Sequence, residues 1–181
     1  MFLDEYHQIS DGEIRITPTQ ASRFAREIAG DYNPIHDPDA RRFCVPGDLL
    51  FALILHYCGL HERMTFRFRD MLTGPNPLLL PDTDDATIRV ADSQGRTYVE
   101  VERGGAVIRD PERIAAFTRH YVSFSGRNFP HFLHPLLARE GVMFNPDRPL
   151  VIYDSMGFEL SDPGRADPFM ELSDSRLDVA G

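Results

Sequence analysis

The sequence of 181 residues contains neither lysine nor tryptophan, so arginine supplies all 19 basic side chains. The absence of lysine excludes Schiff-base catalysis and a Walker-type phosphate-binding loop, since both require an amino group on a side chain. The excess of acidic residues gives a formal net charge of −9. Because such a charge repels phosphate backbones and anionic lipid headgroups, we expect neither a nucleic-acid partner nor a membrane partner.

The chain is also poor in cysteine and has no long apolar run. Cys44 and Cys58 are isolated and lack CxxC spacing, which argues against a disulfide scaffold and a zinc site. His131 and His134 lie three residues apart but have no third ligand at a suitable spacing. No apolar run approaches the ~18 residues of a membrane span, and the opening residues MFLDEYHQIS lack the apolar region of a signal peptide. We therefore expect a cytoplasmic protein without a metal or other cofactor.

The first half of the sequence predicts an α+β arrangement. Asp11 and Gly12 indicate a two-residue hairpin turn, and TPTQASRFAREIAG predicts a helix capped by Thr17 and ended by Gly30. After a loop, the run DLLFALILHYCGL is apolar nearly all round, which is typical of a helix buried on every side. Three or four strands follow, in runs such as TIRVAD and TYVEVE. We predict a long antiparallel sheet curled around one central helix.

The second half predicts a smaller unit, so we divide the chain into residues 1–105 and residues 106–181. Three identities in fifteen relate residues 22–36 to residues 118–132, which suggests a weak internal repeat. The second unit has too few strands to stand alone, so it is either a reduced copy or part of a longer chain. Two helices and then two strands are predicted there, in the runs DPERIAAFTRHYVSF, PHFLHPLLAREG, RPLVIYDSMGFEL and PFMELSDSRLDV.

The loop before the apolar helix contains an acid and an imidazole close together. Asp31 and His36 lie five residues apart around Pro34, so they can meet at one spot and activate a water molecule. Asn33 suits the conformation of such a loop. Gly47 begins the apolar helix, where its N–H is an unsatisfied donor and the helix dipole favours negative charge on a ligand oxygen. The sequence therefore offers an acid, a base and an oxyanion donor within seventeen residues.

A structural interpretation of the same residues stays open. Asx-Pro turns are common, and a single histidine in a loop is usually solvated. Asp48 is placed to cap the apolar helix, as acids at this position often do. On spacing alone, the loop can therefore serve only to end one helix and to begin the next.

Two segments of this region resemble a known enzyme family. AGDYNPIH followed by VPGDLLFALIL is similar to the signature of the MaoC-like, (R)-specific enoyl-CoA hydratases of the hot-dog fold. In that family, G/A-D-x-N-P-x-H precedes V-H-G-M-L at the start of the central helix. The similarity, which covers residues 17–103, implies that Asp31 and His36 activate water for addition to a trans-2-enoyl thioester. It also implies that the Gly47 amide donates to the thioester carbonyl.

Departures from the signature leave alternatives to a hydratase. Pro46 and Asp48 stand where the family has His and Met, and the loop before Gly47 is shorter than in typical hydratases. A non-catalytic acyl-CoA-binding or regulatory module is one alternative, and a thioesterase, which hot-dog proteins also include, is another. The two arginines in RRF either meet a phosphate of the ligand or lie in a solvated loop. The residues expected to contact substrate are Asn33, Asp48, Arg41 and Arg42.

The resemblance also implies partners. The ligand is expected to be an acyl thioester, carried by coenzyme A or by a carrier protein. A hot-dog sheet normally needs a second unit to complete its site. We therefore expect a homodimer, or a degenerate double hot dog within one chain if the repeat is real.

Overall fold

The computed structural model describes residues 2–74, 76–127, 129–143, 151–162 and 170–178. Within these ranges, the chain is α+β, with one antiparallel sheet of seven strands and a small number of helices. The strands are β1 (Gln8–Ser10), β2 (Glu13–Arg15), β3 (Leu60–Phe68), β4 (Leu78–Leu79), β5 (Thr87–Asp92), β6 (Thr97–Ile108) and β7 (Ser155–Glu159). Their spatial order is β1-β2-β4-β5-β6-β3-β7, and every neighbouring pair is antiparallel.

The α-helices are α1 (Pro18–Phe24), α2 (Gly47–Cys58), α3 (Pro111–Gly126) and α4 (His134–Arg139). π-Helical turns follow α1 at Ala25–Ala29 and precede α4 at Phe129–Leu133, and a 3₁₀ turn spans Pro34–His36. None of the helices in the described ranges is long and apolar enough to cross a bilayer.

The local signals at the start of the chain are confirmed. β1 and β2 form a hairpin whose turn residues, Asp11 and Gly12, have φ of 53° and 77°. Thr17 caps α1 through a reciprocal arrangement with Gln20, as the sequence predicted for its position. The helical segment ends at Gly30, whose φ of 67° is the left-handed conformation that stops a helix.

α2 is covered on both sides, which explains why it has no polar face. On the sheet side, the ring of Phe51 meets Phe66 of β3 at 4.7 Å between centroids. On the other side, the same ring stacks on Tyr121 of α3 at 4.6 Å. The core is therefore a layer of side chains around α2, closed by the sheet and by α3.

The chain beyond residue 106 joins the same sheet as the chain before it. β7 lies beside β3, with Phe66 opposite Met156 and Met64 opposite Phe158. The division at residue 105 and the second hot-dog half remain predictions. The strand predicted from PFMELSDSRLDV is wrong where it can be judged, since residues 170–178 contain no strand. These residues are mostly exposed and have no neighbouring strand to bond with, which a strand requires; residues 168, 169 and 179 lie outside the described ranges.

Candidate functional site

The π-helical turn after α1 sets the position of Asp31. Both Gly30 and Asp31 donate their backbone N–H to the Ala25 carbonyl, the latter at 2.8 Å, so the chain turns sharply after the helix. The Asp31 side chain then folds back, and its Oδ1 accepts the Asn33 N–H at 2.8 Å. Asn33 in turn caps the 3₁₀ turn by accepting the Ile35 N–H at 3.3 Å. This chain of short-range bonds holds the loop, as the sequence predicted for Asn33.

Asp31 and His36 form a buried pair at the centre of this loop. His36 Nε2 lies 3.3 Å from Asp31 Oδ2, and the two residues are only 7% and 8% exposed. The other ring nitrogen, Nδ1, lies 2.7 Å from the Cys44 carbonyl oxygen. Because a carbonyl only accepts hydrogen bonds, we assign the proton to Nδ1. Nε2 is then the ring nitrogen that faces the Asp31 carboxylate, so the pair can take up a proton and hold it between the two groups.

The pair borders a cavity of about 360 Å³ that also reaches the start of α2. Asp31, Asn33, His36 and Gly47 all line this cavity. Much of the remaining wall is apolar and comes from α2, β3 and the loop after it, in Leu50, Phe68 and Leu72. A few polar groups converging in a mostly apolar cavity are typical of a small-molecule site.

Gly47 meets the cavity at the first turn of α2. A Cβ atom there would lie 3.1 Å from the Tyr153 ring and 3.2 Å from the Phe68 ring, so packing favours glycine. Pro46 precedes the helix and offers no capping side chain. Because the first amides of a helix have no acceptor within it, the Gly47 N–H is available to a ligand oxygen.

Residues 151–153 form a wall of the cavity that the sequence prediction missed. Asn33 Nδ2 donates to the Val151 carbonyl at 3.3 Å, which ties the loop to this segment across 118 residues. Tyr153 lies against Gly47 and bonds to Ser125, whose Oγ donates to the tyrosine oxygen at 2.8 Å. No local pattern indicated this, since the contact depends on how the second half packs against the first.

Asp48 does not cap α2, so that prediction is wrong. Its side chain is 1% exposed, makes no capping bond and is absent from the cavity lining. Asp48 is the second residue of the helix, and its carboxyl is turned into the core on the side of α3. Its pKa is raised to about 7, mainly by burial and in smaller part by the charge of Asp31.

The remaining residues that were predicted to contact substrate, Arg41 and Arg42, lie outside the cavity. Both are exposed, which agrees with the solvated-loop alternative. Cys44 does line it, but burial raises the pKa of its thiol to about 11. A thiol of that pKa is protonated near neutral pH, which disfavours Cys44 as a nucleophile. Within the described ranges, no group of three His, Cys, Asp or Glu side chains is arranged to hold a metal ion.

Comparison with known proteins gave a single finding. A family model described as "Protein of unknown function (DUF3581)" matches residues 1–181. Comparisons with curated proteins and with solved structures gave no match.

Proposed function

We propose that this chain, which belongs to the DUF3581 family, is a hot-dog protein that hydrates trans-2-enoyl thioesters or runs the reverse dehydration. The observation that carries the proposal is the buried Asp31–His36 pair, which borders one cavity together with the first amide of α2. An acid, a base and an oxyanion donor at one cavity suit the addition of water to a polarised double bond.

The arrangement of the sheet supports the hot-dog part of the proposal. The order β1-β2-β4-β5-β6-β3 places the strand before α2 and the strand after it far apart in one antiparallel sheet. α2 crosses between them and packs against the sheet through Phe51 and Phe66. The residues that resemble the MaoC-like signature lie in the loop before this helix and in its first turn.

In the proposed reaction, a water molecule lies in the cavity beside the Asp31–His36 pair, within reach of both side chains. His36 Nε2 accepts a proton from this water, and Asp31 orients it. The water oxygen forms a bond to C3 of the enoyl group, and the electrons of the double bond move toward the thioester, giving an enolate. The Gly47 N–H donates to the enolate oxygen, and the proton held by the pair passes to C2. One water molecule is thereby added across the double bond.

A non-catalytic acyl-thioester-binding module is the second candidate. The Tyr153 ring packs against Gly47, and Asp48 brings a carboxyl next to the proposed oxyanion donor. Both features limit how well a developing negative charge is stabilised there. Such a module would bind the ligand and release it unchanged.

The first test is hydration of crotonyl-CoA and longer enoyl-CoAs, followed by loss of the absorbance of the conjugated thioester. We expect Asp31→Asn and His36→Ala each to reduce kcat by about 10²- to 10⁴-fold, since each removes a proton-transfer group. Asp39→Asn, an exposed acid of the same loop, is the matched control and should leave the rate unchanged. Full activity in the Asp31 and His36 variants contradicts the proposal.

Thermal unfolding with butyryl-CoA, a saturated thioester that cannot be hydrated, separates the two candidates. Stabilisation of the wild type without turnover of any enoyl-CoA favours the binding module. Stabilisation together with turnover favours the hydratase. The choice of coenzyme A as carrier agrees with the cytoplasmic location expected from the sequence.

A further inference from the structure

Asp48 is an acid that the fold buries without a partner. Both of its carboxyl oxygens are inaccessible, and neither makes a hydrogen bond within the described ranges. A buried carboxylate in that condition is strongly destabilising, whereas the protonated, uncharged form is tolerated. A well-packed apolar residue would fit the same place at lower cost, so the acid calls for a functional explanation.

The nearest polar groups form a short chain from Asp48 toward the cavity wall. The Ser125 hydroxyl lies close enough to lower the pKa of Asp48, although the geometry falls short of a hydrogen bond. Ser125 Oγ donates to Tyr153 Oη at 2.8 Å, and Tyr153 Oη donates to the Ser125 carbonyl at 3.2 Å. With its proton directed to Tyr153, the serine oxygen is free to accept from a protonated Asp48. An ionised Asp48 would instead attract the serine proton toward itself.

Asp48 is also the immediate neighbour of Gly47 in the first turn of α2. The aligned peptides of a helix place about half a positive charge at its N-terminus, and this charge is what favours an oxyanion at the Gly47 amide. A full negative charge on the next residue, in a site shielded from water, outweighs it. The uncharged acid leaves the N-terminus of the helix electropositive.

We propose that Asp48 is a positioning residue that must be uncharged for the site to work. In its uncharged form it preserves the electropositive Gly47 amide and leaves the Ser125 hydroxyl donating to Tyr153; its ionisation removes both effects. The kinetic part of this inference rests on the proposed function, but the coupling between Asp48 and Gly47 does not.

The titratable groups around Asp48 are few. Asp31 and His36 act on it from the loop before α2, the first raising and the second lowering its pKa. Tyr121 of α3 and Tyr153 face it from the other side; burial raises the pKa of both phenols, and the charge of Asp48 adds to the rise. Burial brings the pKa of Asp48 itself to about 7, so both of its forms occur near neutral pH.

The coupling is tested by following the Gly47 amide resonance with pH in ¹⁵N-labelled full-length protein. We expect a titration with a midpoint near 7 in the wild type. It should disappear in Asp48→Asn and in Asp48→Leu, neither of which can ionise, and persist in Asp31→Asn. Two different replacements guard against failure of one variant to fold. A titration that persists in both Asp48 variants, or no titration in the wild type, overturns the proposal.

The kinetic consequence is tested on crotonyl-CoA with the same proteins. Between about pH 6 and about pH 8.5, a single group titrating near pH 7 predicts a loss of about 30-fold in wild-type kcat/KM. Asp48→Asn should keep its activity over this range, which a merely structural role does not predict. An unchanged alkaline loss in Asp48→Asn overturns the inference and leaves the hydratase proposal standing. Absence of hydration at every pH, with the Gly47 titration present, contradicts the hydratase proposal and supports the coupling.

Discussion

At the scale of single residues, His36 has one orientation because a backbone carbonyl fixes it. The bond from Nδ1 to the Cys44 oxygen, at 2.7 Å, selects the tautomer whose Nε2 faces Asp31. The Asp31 carboxylate is held in a similar way, by a hydrogen bond from the backbone N–H of Asn33. Each member of the pair is therefore positioned by a second group, which is how catalytic acids and bases are commonly oriented.

The buried carboxyl of Asp48 is expected to make the stability of the protein depend on pH. Its ordinary pKa is 3.8, and burial raises it to about 7 in the folded state. Between these values the folded protein binds more protons than the unfolded one, so the free energy of unfolding falls as pH rises. Asp48→Asn cannot ionise, and we expect it to be more stable than the wild type by roughly 3 to 5 kcal/mol at about pH 8.

Urea denaturation of the wild type and of Asp48→Asn over this pH range measures the difference. The gap should grow with rising pH and should level off above the folded-state pKa. Asp39→Asn is the control, since an exposed carboxyl gains nothing from losing its charge. Two parallel stability curves for wild type and Asp48→Asn would show that Asp48 does not titrate differently in the folded protein.

At the scale of elements, the contact between α3 and the π-helical turn positions the site. Gly126 of α3 lies directly against Ala29, the last residue of that turn. A Cβ atom on Gly126 would overlap the Ala29 carbonyl oxygen and come within 2.8 Å of its carbon. Because Asp31 follows two residues after Ala29, close approach of α3 fixes where the loop that carries Asp31 and His36 begins. Gly126 also lines the cavity.

Gly126→Ala is therefore expected to destabilise the protein. A backbone clash cannot be relieved by turning a side chain, so we expect a loss of about 2 kcal/mol or more in the free energy of unfolding. Gly74→Ala is the matched control, because nothing lies within 4 Å of its Cβ position and its φ is not positive. Thermal unfolding of both variants measures the effect. Equal melting temperatures would show that α3 can move away from the turn at little cost.

At the scale of the whole molecule, one sheet joins the two halves of the sequence. β7 from the second half lies beside β3 from the first, and α3 covers the face of α2 that the sheet leaves open. The cavity also draws on both halves, since Asn33 bonds to Val151 and Gly47 packs on Tyr153. The second half is thus part of the site, whether or not it descends from a repeat.

The resemblance to hot-dog proteins predicts that two copies of this chain associate. We expect light scattering with size-exclusion chromatography to give the mass of a homodimer, twice the 20.6 kDa of one chain. The physical reason is that a single hot-dog sheet leaves surface that a second unit normally covers. A compact monomer with only one hot-dog unit would contradict the expectation of a dimer.

Several features were predictable because their causes are local. The Asp11-Gly12 turn, the Thr17 cap, the stop at Gly30 and the apolar helix each depend on residues a few positions apart. The pairing of Asp31 with His36 also has a local cause, since the two residues lie five positions apart in one loop. For Asp48 the sequence predicted a cap and the structure has a buried acid. Helix capping depends on the first turn alone, but the direction of the Asp48 side chain depends on α3, more than sixty residues later.

The sequence by itself thus determined the hairpin, the helices of the first half and the acid–base loop, because short-range hydrogen bonds and hydrophobic periodicity specify them. Only the tertiary structure decided what surrounds that loop. It places Tyr153 in the cavity wall, joins Ser125 to Tyr153 by a hydrogen bond and buries Asp48. Those features arise from contacts between residues that are between 28 and 118 positions apart. Such contacts form when whole apolar faces pack together, and no local pattern in the sequence records which faces meet.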